Sequence, residues 1–109
     1  MGDDTNKNLV FNAVTPLDFK ISVTRRYWEI ISKIKHPSME GNEDKVKDVL
    51  ENPDEIRISR SDSNVYLFYK EYKKDRLICA VAKSEYNNGF LITAYVTDKI
   101  KEGKQVWKK

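Results

Sequence analysis

The sequence predicts an α+β domain with two N-terminal helices packed on one face of an antiparallel sheet of four to five strands. Three observations carry this expectation. Apolar residues follow the helical period in 24–36 and again in 42–51. They alternate with period two, or run almost uninterrupted, in four stretches after residue 54. The helical and strand-like stretches are segregated along the chain, which favours helices layered on a meander over an interleaved parallel fold.

A chain of 109 residues suits one core. A domain of this size buries roughly two-thirds of its unfolded surface, so it needs no disulfide or metal staple. The polar start MGDDTNKN predicts a disordered segment over 1–8, leaving 9–109 as a single domain. Within 9–23, Leu17, Phe19, Ile21 and Val23 alternate, predicting a strand entered through Pro16. Thr24 is placed to cap a helix. Tyr27, Ile30, Ile31 and Ile34 then form one stripe at i, i+3, i+4 and i+7. Pro37 disfavours helical geometry at His36, so the helix should end at Lys35 or His36. A second helix is expected over 42–51, with Val46, Val49 and Leu50 inward, Glu43 and Asp44 in its first turn and Pro53 beyond its end.

Four strands should follow. EIRIS (55–59) alternates, NVYLFYKEY (64–72) is aromatic-rich, and RLICAVAKS (76–84) reads as a central strand. YNNG (86–89) predicts a tight turn with Gly89 at positive φ. FLITAYVT (90–97) alternates strictly, placing Phe90, Ile92, Ala94 and Val96 on one face and Leu91, Thr93, Tyr95 and Thr97 on the other. The second set should line a sheet face left open by the helices.

Composition excludes several function classes. One cysteine, Cys79, rules out an internal disulfide, and one histidine beside it rules out a Cys/His zinc site. Cys79 lies in the apolar run RLICAVA and reads as core. No Asp/Glu spacing singles out a metal pair, so neither metal nor cofactor is expected. No apolar run approaches the ~20 residues needed to cross a bilayer. The acidic, polar N-terminus is not a secretory signal, so the expected location is the cytoplasm. Twenty Lys and Arg against seventeen Asp and Glu give a net charge of only +3. Bases gather at 20–35 and from Lys99 onward, acids at 40–55. That pattern fits a phosphate-binding patch or simply a solvated surface.

His36 is the natural proton carrier, since an unperturbed imidazole titrates near neutrality. On the residues alone, it reads more readily as an ordinary helix-end residue. Thr93 and Tyr95 project hydroxyls from one strand face, with Tyr69 or Tyr66 on the neighbouring strand. Tyrosine can stack on a base and donate to a phosphate; these residues also read as plain half-buried sheet residues. Arg57 and Arg60 flank Ser59 in RISRSD, and a guanidinium binds phosphate with a planar fork. Lys83, on the central strand, joins Arg57, Ser59 and Tyr69 as a candidate substrate-binding residue.

The ordered set KHPSMEGNEDKVKDVLENPDEIRISRSDSNVYLFYK, an ICAVAK-type strand and GFLITAYVTDKIKEG resembles the phage and prokaryotic branch of the barnase–EndoU–colicin–RelE-like nuclease superfamily over about residues 24–107. The resemblance implies two helices on a curved antiparallel sheet and a metal-independent endoribonuclease. RNA is then the implied partner, with an antitoxin or immunity protein as a second. It implies His36 as general base or acid, Arg60 (or Arg57) on the scissile phosphate, Thr93 donating to a non-bridging oxygen, and Tyr95 or Tyr69 stacking or donating. The chain departs from the pattern in being weakly basic and in having one histidine where EndoU-type members use two. The competing expectation is a catalytically silent RNA- or protein-binding module on the same fold. A third is a homodimer through the aromatic sheet face.

Overall fold

The strand expected to enter through Pro16 starts only at Lys20, and an unexpected strand precedes it, the two joined by a turn built on Thr15. Its Oγ1 accepts the Leu17 N–H (3.2 Å), its carbonyl accepts the Asp18 N–H (3.0 Å), and Asp18 takes φ 68°, a conformation aspartate tolerates. The result is a hairpin of β1 (Leu9–Val14) and β2 (Lys20–Thr24). The computed structural model describes residues 8–100 and 103–109. Residues 1–7 of the N-terminal segment expected to be disordered therefore lie outside the described residues. Asn8 is held in place, its carbonyl accepting the Arg25 N–H at 2.6 Å.

Thr24 caps α1 (Arg25–Glu29), its Oγ1 accepting the Tyr27 N–H at 3.2 Å. The helix then widens into a π-helical segment, Ile30–Lys35, closed by the His36 N–H on the Ile31 carbonyl. Ser32 donates its hydroxyl back to the Trp28 carbonyl (2.8 Å), and this side-chain competition for a backbone acceptor accompanies the wider winding. The widening rotates the expected stripe: Trp28 and Ile31 are buried, whereas Ile34 is 74% exposed. A 3-10 turn, Pro37–Met39, buries Met39. Gly41, at φ 82°, then turns the chain into α2 (Glu43–Glu51), whose Val46, Val49 and Leu50 point inward as their spacing demands.

The remaining strands are β3 (Glu55–Ile58), β4 (Val65–Lys73), β5 (Arg76–Glu85), β6 (Asn88–Thr97) and β7 (Lys104–Lys108). They form one seven-stranded sheet in the order β1-β2-β6-β5-β4-β3-β7. β2 and β6 run parallel and the other neighbours antiparallel. The expected architecture is therefore corrected. The sheet is mixed and has seven strands rather than four or five. Two strands precede the helices, and the helices are short. β7 was hidden because KQVWK is a short, lysine-rich edge strand, the composition that keeps an edge from pairing with another chain.

The inner face carries Ile56, Phe68, Ile78, Ala80, Ala82, Leu91 and Ala94, all buried, under α2. The β1–β2 hairpin adds Phe11, Ala13, Ile21 and Val23 to the same core, and Phe19 meets Tyr66 (5.8 Å) and Phe68 (6.3 Å). Burying each large aliphatic or aromatic side chain contributes about 1.5–3 kcal/mol. This close approach explains Gly89, whose φ is not positive. A Cβ there would stand 2.6 Å from the Lys83 carbonyl oxygen and 2.9 Å from the Phe19 ring. The positive φ of that turn belongs to Tyr86 (59°), a position costing a bulky L-residue about 1–2 kcal/mol.

The outer face is not an open one. β6 ends at Thr97 beside Leu77, while β7 begins at Lys104 beside Ile58, at the opposite end of the sheet and beyond β3. Gly103, just before β7, lies against Arg57 on the outer side. Tyr69 and Cys79, both outer-face residues, are fully buried.

Candidate nucleic-acid interface

The register arranges the outer face in rungs. Tyr95, Cys79, Tyr69 and Glu55 form one, Thr93, Val81, Leu67 and Arg57 the next, and Phe90, Lys83 and Val65 another. A bulge opposite Val81 and Ala82 skips Ile92 and reverses the expected parity at the start of β6. Leu91 turns inward and is buried, while Phe90 joins Thr93 and Tyr95 outside.

The structure brings His36, Tyr95 and Thr93 to one neighbourhood. The π-helical segment packs along β6, and the His36 ring lies 5.4 Å from the Tyr95 ring, tilted by 38°. Burial pushes the Tyr95 phenol pKa up, and the adjoining Cys79 thiol and Tyr69 phenol push it further. The Thr93 hydroxyl is buried with no hydrogen-bond partner among the described residues.

The other expected residues stay apart from that group. Arg57 is committed to structure, with its Nε on Glu55 (2.6 Å) and Nη1 on the Gly103 carbonyl (2.8 Å). β3 lies three strand spacings from β6, about 14 Å. Arg60 is exposed in the loop beyond β3, and the Ser59 hydroxyl meets that of Ser61 at 3.2 Å. Lys83 pairs with Asp62 at 3.3 Å, in the turn where the Asp62 carboxylate accepts the Asn64 N–H. Tyr69 is buried and offers no stacking surface. On the two rungs that run from β6 to β3, Cys79 and Tyr69 stand between Tyr95 and Glu55, and Val81 and Leu67 between Thr93 and Arg57. Arg57 thus lies three strand spacings from the His36–Tyr95 pair with its guanidinium turned to Glu55 and Gly103, and Arg60 follows the end of β3.

A different set of residues lines a groove. β2 and β6 pair only through Lys20–Asn88 and Ile21–Gly89, then diverge. The gap, about 330 Å³, is lined by Ser22, Thr24, Tyr27, Phe90 and Leu91. Phe90 is 42% exposed. At the far end, the Tyr27 hydroxyl (2.8 Å) and Lys35 Nζ (3.2 Å) both donate to the Ile92 carbonyl, taking the place of a ladder partner. Lys35 Nζ stands 5.6 Å from the Tyr27 ring centre and retains two further N–H donors. Lys20 shares the outer face of β2 with Ser22 and Thr24, and exposed Arg25 and Arg26 sit between Thr24 and Tyr27. Against these four cations stand the exposed Glu29 and Glu85. Sequence reasoning placed Tyr27 in the core stripe, and it does pack against the core while also lining the groove, but it put Phe90 on the wrong face; only the cluster of bases at 20–35 signalled this region.

Among the described residues, no group of three or more His, Cys, Asp or Glu could hold a metal ion, and no helix is long and apolar enough to cross a membrane. Comparison with protein-family models, with curated proteins and with solved structures gives no match.

Proposed function

We propose that this protein binds single-stranded RNA as a non-catalytic module, through the groove between β2 and β6. The observation that carries this reading is the track along β6, where Phe90, Tyr27 and the His36–Tyr95 pair run between Lys20 and Lys35, with Arg25 and Arg26 exposed on the helix that carries Tyr27. Bases stack on aromatic faces while the phosphate chain follows the cations, a combination suited to unpaired strands. The divergence of the two strands leaves room for a planar group between Tyr27 and Phe90.

The endoribonuclease reading has one observation in its favour, the contact of His36 with Tyr95 beside Thr93. Its chemistry calls for a second proton carrier and a cation on the phosphate. The nearest phenol, Tyr95, is shifted away from neutrality, which weakens it as a proton donor or acceptor. The guanidinium of Arg57 is engaged elsewhere. Incubation of labelled single-stranded RNA with the protein in EDTA separates the readings: the module retains the RNA intact, whereas a ribonuclease shortens it.

A further inference from the structure

We infer that Tyr86, at the tip of the β5–β6 hairpin, is a second base-stacking residue that carries the proposed RNA track beyond Phe90. This rests on the RNA-binding reading of the groove and adds a residue to it. Three non-glycine residues among those described have positive φ: Asp18, Asp75 and Tyr86. Aspartate accepts that conformation readily in turns, but tyrosine does not. The turn thus holds a disfavoured residue at a position where Asn or Gly would sit without strain. Nothing in the fold uses the Tyr86 side chain in compensation, since it is fully exposed. Strain at an exposed aromatic ring is expected where an outside ligand uses the ring.

The tip is placed for such use. The rungs run Lys83–Phe90, Ser84–Gly89 and Glu85–Asn88 before the turn, so Tyr86 stands about 10 Å along the hairpin from Phe90. The Lys20 N–H donates to the Asn87 carbonyl at 3.5 Å, tying the tip to β2. Lys20, exposed beside Asn88, thereby supplies a cation between the two rings, with Glu85 as the opposing charge. A strand stacked on Phe90 would pass Lys20 and reach Tyr86.

The test is fluorescence anisotropy of a labelled oligouridylate of ten nucleotides, together with thermal unfolding of each variant. Tyr86→Asn should raise Tm by about 5 °C, because it relieves the backbone, and should weaken RNA binding roughly tenfold, through loss of one stacked base. Tyr86→Phe should keep the wild-type affinity. A higher Tm with unchanged affinity in Tyr86→Asn overturns the inference while leaving the groove reading in place, provided Phe90→Ala still loses binding. Absence of binding by the wild-type protein overturns both.

Discussion

The imidazole of His36 rests against the phenol of Tyr95, their ring centres 5.4 Å apart, because the π-helical segment lays its end along β6. The contact joins the only histidine of the chain to a phenol whose ionisation the fold suppresses. The pair lies farther along β6 than Phe90 and Leu91, which line the groove.

Alkaline stability should report on Tyr95. Its phenol has a higher pKa folded than unfolded, so the native state holds a proton that the unfolded chain releases. Stability is then complete below the ordinary phenol pKa of about 10 and falls as pH rises above it. Chemical denaturation at successive pH values should show that decline, and Tyr95→Phe should flatten it. In spectrophotometric titration, the Tyr95 phenol should ionise only above the ordinary phenol range.

Gly89→Ala should be costly although the position has no positive φ. The new methyl meets a backbone oxygen and the Phe19 ring, neither of which can yield easily. Overpacking of this kind costs about 1–3 kcal/mol, a fall in Tm of roughly 5–20 °C. A Tm within a degree of wild type would mean that the hairpin is not seated so closely on β5.

RNA affinity should fall with salt, and Lys35→Ala should lower the slope of that dependence by about one unit, the counterion-release signature of a single phosphate contact. Arg57→Ala should leave the slope unchanged while lowering Tm, since its guanidinium joins Glu55 to the Gly103 carbonyl. An Arg57 variant with a reduced slope and unaltered Tm would instead place the phosphate on β3.

In EDTA, wild-type protein and His36→Ala should leave a labelled RNA equally intact on a denaturing gel. Cleavage that disappears in His36→Ala would restore the ribonuclease reading.

Local chemistry was legible in the sequence where one residue decides the outcome. Thr24 caps α1, and Val46, Val49 and Leu50 face inward from α2. Architecture was less legible, because it depends on long-range pairing. The Thr15–Asp18 turn contains no glycine, so only the strand after Pro16 was expected and its hairpin partner β1 was not. The π-helical winding is accompanied by the Ser32 hydroxyl bonding to the Trp28 carbonyl, which no apolar periodicity records. The bulge at Ile92 follows from the register against β5 and silently exchanges the faces of Phe90 and Leu91. For the candidate residues, the period-two pattern put Thr93 and Tyr95 on one face, as they are, and Pro37 marked the helix end at His36. It could not say that Arg57 and Arg60 lie three strands away, because strand order is not written in spacing.

The most direct measurement is the anisotropy titration of a labelled single-stranded RNA against wild-type protein and Phe90→Ala, a substitution at a half-exposed position that leaves the core intact. The groove reading predicts saturable binding by the wild type and an affinity loss of roughly fivefold to a hundredfold in the variant, the range expected for one lost base stack. Equal affinities, or no binding by the wild type, would contradict it.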